Sequence, residues 1–318
     1  MKRILSFAIL FVVVACNAAF GSSFAYVSNY YSNDVSVIDT SSNSVVATIP
    51  VGVYPMGVVV NPAGTRAYVT NVNSSSVSVI NTLNHYVSTI ALPSPPYGVT
   101  INPSGTRVYV YSATTNDVYV IDTATKTIRS TISVETGGYG IAVNPAGTRV
   151  YAANHGAHTV SIIDTNNNSV TSVPVVQYPY GVAITPDGSK VYVGSATSGY
   201  ISVIDTATNN VSTVQISADS TVGNIAINPR GTRIYATIGS GAVAVIDAAT
   251  NSVLTTIAIP SSPIGIDVDP SGASVYVANF GSTTVTVIDA VTNTVYSTIG
   301  VGSNPYALGK FIGPQMCK

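Results

Sequence analysis

Short apolar runs, separated by Asn, Gly, Pro and Ser, recur along the chain from residue 25 onward. The runs are rich in Val, Ile, Thr and Tyr, which favour β-strands, and the residues between them are typical of turns. No segment shows the 3.6-residue spacing of an amphipathic helix. The pattern therefore predicts an all-β chain of many short strands.

The strand pattern itself repeats. A strand containing Tyr, such as AYVSN or AYVTN, starts near residues 25, 67, 108, 150, 191, 234 and 275, so successive copies begin 41 to 43 residues apart. Each copy continues with a second apolar run that ends in Asp or Asn, then a third run. A fourth run leads from a Gly to a turn such as NPAGTR. Each repeat thus predicts four strands.

Repeated four-stranded sheets cannot bury both faces alone and must stack on neighbours, which predicts a seven-bladed β-propeller with four antiparallel strands per blade. The chain begins at the second strand of a blade and ends with an inner-type strand at residues 306–312. We expect this last strand to complete the first blade and close the ring. Closure removes the free inner edge, which predicts a monomer with one domain at 24–314 and a tail at 315–318.

Three motifs carry a resemblance to a known family. The strand YVTN at residues 68–71, the strand VSVIDT and the turn NPAGTR resemble the YVTN family of seven-bladed propellers of bacterial and archaeal surface proteins. The similarity covers residues 25 to about 312, and repeats five and six depart most, with VYVGS and IYATI. The resemblance implies the fold and a surface or binding role, but no particular activity.

Residues 1–23 differ from the repeats. Lys2 and Arg3 precede an apolar run at 4–15 and then small residues, the pattern of a secretory signal peptide. The run is too short to span a bilayer, and no stretch of 18 apolar residues follows it. We therefore expect an exported protein, located in the periplasm, at the cell surface or outside the cell.

Two modes of signal cleavage stay open. Residues 13–16, VVAC, resemble a bacterial lipobox, in which Cys16 becomes the lipidated first residue. Ordinary cleavage sites at 17–19 and 19–21 compete with it, and Val13 departs from the usual Leu. In neither case is Cys16 a structural thiol, so Cys317 has no predicted disulfide partner.

Charge is scarce in this chain. It has 12 Lys and Arg, 13 Asp and Glu, and 8% charged residues, about a third of the usual share. The net charge of −1 becomes −3 when Lys2 and Arg3 are removed (−1 − 2). No basic field is available for a phosphate backbone, which argues against a nucleic-acid partner.

Many of the charges recur at two repeat positions. One is acidic, at Asp39, Asp122, Asp164, Asp205, Asp247 and Asp289, and the other is basic, at Arg66, Arg107, Arg149, Lys190 and Arg233. A site that is used once need not be repeated, whereas a turn needed in every blade must be. We therefore expect the Asp side chains to accept backbone N–H bonds in turns.

A candidate binding site follows from the loops that lead into the inner strands. One loop position is occupied by Met56, Tyr97, Tyr139, Tyr180, Gly223, Ile264 and Tyr306. We expect these residues to ring the channel mouth as an aromatic rim for a sugar, a peptide or a partner loop. The alternative is that each Tyr packs on the neighbouring blade.

Candidate chemistry is limited to a few residues. Strand alternation points one position of each inner strand into the channel, at Val59, Thr100, Ala142, Ala183, Ala226, Asp267 and Gly309, and Asp267 is its one charge. His155, His158 and Glu135 fall on the same predicted face as the rim. With Asp267 they form a candidate metal or acid–base set if they converge.

The sequence favours a non-enzymatic binding propeller without a cofactor, whose partner is a protein, a peptide or a glycan. No Gly-x-Ser-x-Gly, Cys-x-x-Cys-His or Gly-x-Gly-x-x-Gly motif with the right context is present. One alternative is a lactonase-like or lyase-like metalloenzyme that uses the His155, His158, Glu135 and Asp267 set with a divalent metal. Another is a surface-layer or adhesion module, which a lipid on Cys16 would favour.

Overall fold

A computed structural model describes residues 23–218 and 220–314. Ser23, which the sequence assigned to the signal peptide, already belongs to the first strand. Cys16, the rest of the predicted signal peptide and the predicted tail at 315–318 lie outside the described residues. The described residues include no helix long and apolar enough to span a bilayer.

Seven four-stranded antiparallel sheets form the blades of a ring, which confirms the predicted propeller. The inner strands are β4 (Pro55–Val60), β8 (Val99–Ile101), β12 (Gly138–Val143), β16 (Pro179–Ile184), β20 (Val222–Ile227), β24 (Ser262–Val268) and β28 (Ile312–Pro314). The second strands are β1 (Ser23–Asn29), β5 (Arg66–Asn71), β9 (Arg107–Ser112), β13 (Arg149–Asn154), β17 (Lys190–Ser195), β21 (Arg233–Ile238) and β25 (Ser274–Phe280).

The outer half of each blade completes the sheets. The third strands are β2 (Asp34–Asp39), β6 (Ser76–Asn81), β10 (Asp117–Asp122), β14 (Thr159–Asp164), β18 (Tyr200–Asp205), β22 (Ala242–Asp247) and β26 (Thr284–Asp289). The outer strands are β3 (Ser44–Pro50), β7 (Val87–Ala91), β11 (Thr127–Ser133), β15 (Val170–Pro174), β19 (Val211–Gln215), β23 (Val253–Ala258) and β27 (Thr294–Gly300). Blade 1 is β28-β1-β2-β3, and blades 2 to 7 follow in chain order.

Burial explains why the strands differ in pattern. Second and third strands are buried along nearly their whole length because a neighbouring blade covers each face, and β5 is an example. Outer strands alternate between exposed and half-buried positions, as β3 does. Apolar side chains of adjacent blades therefore form shared clusters, one of which joins blades 7, 1 and 2 through Tyr276, Val27 and Val58.

The ring closes where the C-terminal strand joins the first blade. β28 pairs with β1, with Ser23 opposite Pro314 and Ala25 opposite Ile312. The sequence predicted a strand at 306–312, but regular pairing begins only at Ile312. Ala307 (φ 47°) and Gly309 (φ 108°) have positive φ angles, which interrupt an extended backbone.

The recurrent Asp residues have the predicted structural role. Asp122 Oδ1 accepts the backbone N–H groups of Ala124 and Thr125 at 3.0 and 2.9 Å, and Asp39, Asp164, Asp205, Asp247 and Asp289 accept equivalent bonds. Such bonds, foremost that of Thr125, lower the pKa of Asp122. The basic position also stabilises the ring, because Arg149 Nη1 donates to the carbonyl of Thr206 in the next blade at 2.8 Å.

The two ends of the central channel carry different turns. The proline end has the turns between inner and second strands and the last residue of β28. Its exposed prolines are Pro62, Pro103, Pro145, Pro186, Pro229, Pro270 and Pro314. Neighbouring blades touch here, since a methyl group added at Gly147 would lie 3.2 Å from Pro103 Cδ of the preceding blade. The opposite, aromatic end has the loops between second and third strands and the loops that enter the inner strands.

Candidate functional site

The entry loops bring their aromatic residues together at the aromatic end. Met56, Tyr97, Tyr139, Tyr180, Ile264 and Tyr306 belong to one cluster with Leu308, Tyr30, Val72 and Phe280. Met56 and Tyr306 are only 4% and 8% exposed. Glycines beside these positions permit the close approach, because a methyl group at Gly98 would lie 2.1 Å from the carbonyl oxygen of Tyr139.

This cluster extends across the channel rather than around it. Tyr139 stacks on Tyr180 with ring centroids 4.7 Å apart, and Tyr97 meets Tyr139 edge-on at 5.3 Å. The hydroxyl groups of Tyr180 in blade 5 and Tyr306 in blade 1 are 2.6 Å apart and share a hydrogen bond. Burial raises the pKa of both tyrosines well above the usual value, so the bond is between neutral groups. The side chains of the predicted rim thus meet across the mouth of the channel.

Sequence reasoning missed three tyrosines that lie beside this cluster, namely Tyr31, Tyr54 and Tyr178. Tyr30 and Tyr54 stack in parallel at 4.6 Å, and Tyr31, which is 56% exposed, meets both rings edge-on. Tyr178, which is 37% exposed, packs instead against the rings of His155 and His158, at 5.1 and 4.5 Å between ring centroids. The available signal was position, since Tyr54 and Tyr178 each stand two residues before the rim position of their blade.

The two histidines pack among the aromatic rings. His155 lies 5.2 Å from the Tyr139 ring and 5.1 Å from the Tyr178 ring, and burial lowers its pKa, with a further contribution from His158. His158 Nδ1 accepts the backbone N–H of Tyr178 at 3.0 Å. Asn33 accepts the N–H of Tyr54 at the same repeat position, so His158 has a turn-forming role.

The predicted metal or acid–base set is not assembled in one place. Glu135 accepts a hydrogen bond from the Thr159 hydroxyl, and Asp267 lies in the channel. No group of three His, Cys, Asp or Glu residues in the described ranges is placed to hold a metal ion.

A cavity of about 520 Å³ occupies the channel at the proline end. Its walls include every position that strand alternation pointed inward, namely Val59, Thr100, Ala142, Ala183, Ala226, Asp267 and Gly309. The seven prolines of this end surround its mouth. The channel is therefore filled by aromatic side chains at one end and widens into an apolar chamber at the other.

Asp267 connects the chamber wall to the closing strand. Its Oδ2 accepts the N–H of Ile312 and its Oδ1 the N–H of Val268, both at 2.9 Å. The residue is 8% exposed, and burial raises the pKa of its carboxyl group to about 7, even though these N–H groups and Lys310 act in the other direction.

The hydrogen bond across the channel gives a first testable expectation. Tyr306→Phe should lower the free energy of unfolding by about 1–3 kcal/mol, because it leaves the Tyr180 hydroxyl without its partner. The double variant with Tyr180→Phe should cost less than the sum of the two single changes, as measured by urea unfolding. Tyr86→Phe, at a ring that is 69% exposed, is the control. Strict additivity would show that the two hydroxyl groups do not interact in solution.

Fold and channel together define a seven-bladed β-propeller with one closed aromatic end and one chamber. No protein-family model matches the chain, and a search of curated proteins finds no relative. Among solved structures, hydrazine synthase of Kuenenia stuttgartiensis is similar, with 21% identity, a TM-score of 0.77, and coverage of 89% of this chain and 99% of that one.

Two further structures have the same architecture. A functionally unknown protein from Desulfotomaculum acetoxidans DSM 771 is 14% identical, with a TM-score of 0.77 and coverage of 91% and 100% of the two chains. Dihydro-heme d1 dehydrogenase NirN in complex with DHE is 14% identical, with a TM-score of 0.65 and coverage of 87% of this chain and 63% of its own. At these identities the likeness establishes the fold alone.

Proposed function

We propose that this chain is an exported, non-enzymatic binding propeller of the YVTN type, which acts in the cell envelope or outside the cell. Its partner, a protein, a peptide or a glycan, is held by the exposed tyrosines of the aromatic end. The observation that carries the proposal is that Tyr31, Tyr54 and Tyr178 pack against half-buried aromatic rings. Tyrosines held in this way offer apolar area and a polar tip at little entropic cost.

The backbone at two of these tyrosines supports a role in binding. Tyr54 and Tyr178 have φ angles of 56° and 52°, a conformation that costs a bulky residue about 1 kcal/mol or more. At the same repeat position, blades 1 and 4 have Asn304 (φ 56°) and Gly137 (φ 83°). Asn and Gly adopt a positive φ angle more easily than Tyr does. Tyrosine is thus a poor choice for the turn itself, and its side chain supplies the reason for its presence.

The distribution of charge favours an uncharged or cationic partner. Apart from Lys310, which lines the chamber, the described aromatic-end loops contain no Lys or Arg, whereas Asp34, Asp117 and Glu135 lie at that end. Lysines and arginines stand instead in or near the turns of the proline end. A polyanion would therefore find no counter-charge beside the tyrosines.

The pairing at the proline end fits a tethered binding module. Ser23 and Pro314, the first and last described residues, pair there, at the end of the ring opposite the tyrosines. A lipid on Cys16, under the lipobox alternative, would hold the propeller with its aromatic end turned away from the membrane. The same arrangement would serve a surface-layer or adhesion module.

The proposal is tested by quantitative affinity capture from envelope and culture-medium fractions. Tyr31→Ala and Tyr178→Ala should each weaken retention of the captured partner tenfold or more, the size of a hot-spot effect. Tyr86→Ala, at an exposed ring away from the aromatic end, should leave retention unchanged. Partners that both aromatic-end variants hold as well as the unaltered protein would contradict the proposal, provided that all variants show the same thermal melt.

A further inference from the structure

The channel cavity at the proline end has the dimensions of a small-molecule site. Its volume of about 520 Å³ falls within the range of roughly 300–1,000 Å³ that is usual for ligand pockets. The seven prolines around its mouth are exposed, so a solute can reach the chamber from this end. The wall is mainly formed by Val, Ile, Ala and Pro side chains.

Charge in the wall comes from two positions. Among the described residues that line the chamber, Asp267 and Lys310 are the charged ones. Lys310 is exposed, and solvent therefore screens its ammonium group. Asp267 is 8% exposed, and its two oxygens accept only backbone N–H groups. A carboxylate has about four acceptor sites, so Asp267 retains free ones.

The surroundings of this carboxyl group determine what it would bind. A buried carboxylate whose one nearby cation is the exposed Lys310 is costly, and the pKa of about 7 reflects that cost. An ammonium group inside the chamber would supply the missing counter-charge and donate hydrogen bonds to the free acceptor sites. The apolar wall would then cover the remainder of such a molecule.

We propose that the chamber is a binding site for a small amphipathic amine, with its ammonium group on Asp267 and its apolar body against the Val, Ala and Pro wall. This site is separate from the partner surface of the aromatic end, because Tyr31, Tyr54 and Tyr178 do not line the chamber. Either proposal can therefore fail without the other.

The test uses benzylamine as the probe, with benzyl alcohol and benzoate as matched neutral and anionic compounds. Calorimetric or NMR titration of the full chain should show one saturable benzylamine site, with much weaker binding of the other two. Asp267→Asn should weaken benzylamine binding at least tenfold. Absence of saturable binding up to about 10 mM, or equal binding by Asp267→Asn, would overturn the proposal.

Two further variants determine which end of the channel holds the amine. Ala183→Phe places a ring in the chamber without altering Asp267, and it should abolish benzylamine binding while the protein stays folded. Tyr31→Ala at the aromatic end should leave the affinity unchanged. Loss of binding in Tyr31→Ala with retention in Ala183→Phe would place the amine on the tyrosines by a cation–π contact and would refute the chamber site.

Discussion

Phe311→Ala should lower the free energy of unfolding by about 3–5 kcal/mol, the usual cost of deleting a fully buried aromatic ring. Phe311 is 0% exposed and packs in the cluster that joins blades 7, 1 and 2. Its carbonyl accepts the N–H of Tyr26 at 2.9 Å, so the residue is held by the first blade. The loss is a large part of the roughly 5–15 kcal/mol that stabilises a typical domain.

The neighbouring residue provides the control for this experiment. Lys310 belongs to the same closing segment, residues 306–314, but is exposed, and Lys310→Ala should change stability by no more than about 0.5 kcal/mol. Urea unfolding followed by circular dichroism measures both variants. Coinciding midpoints for the two variants would mean that the closing segment does not hold the ring together.

Gly64→Ala should destabilise the protein by about 2–5 kcal/mol, from about 1–2 of backbone strain and about 1–3 of overpacking. Gly64 has a φ angle of 68°, and an added methyl group would lie 2.1 Å from the carbonyl oxygen of Pro314. The added methyl group is fixed directly to the backbone, and the atom it meets is a backbone carbonyl oxygen. No side-chain rotation therefore relieves the overlap. The contact lies between the end of blade 1 and the first turn of blade 2, where the ring closes.

A substitution at Gly281 measures the backbone strain without the overpacking. Its φ angle is 85°, yet nothing lies within 4 Å of an added methyl group, so Gly281→Ala bears the strain without the overlap. Thermal and urea unfolding should show Gly64→Ala as the less stable variant by about 1–3 kcal/mol. Equal losses would mean that the contact between Gly64 and Pro314 relaxes at no cost.

The fold was accessible from sequence because its determinants are local and repeated. Each blade carries its own strands and turns, and the Asp of a turn such as Asp122 bonds to N–H groups two and three residues away. Contacts between residues two or three positions apart leave a pattern that is visible in the sequence. The sevenfold repetition of this pattern predicted the ring. Strand alternation likewise placed Asp267 and Ala183 in the channel wall, because the direction of side chains along a strand has a fixed period of two.

Only the tertiary structure decided which end of the channel is filled by side chains and which end contains a chamber. The hydrogen bond between Tyr180 and Tyr306 joins residues 126 positions apart, and that between Asp267 and Ile312 joins residues 45 apart. These contacts depend on the diameter of the closed ring and on the conformation of the closing segment, which no single repeat encodes. The sequence by itself therefore determined the blades, their number and their turns. Packing across the ring determined that aromatic rings fill one mouth and that one buried carboxyl group lies in the chamber at the other.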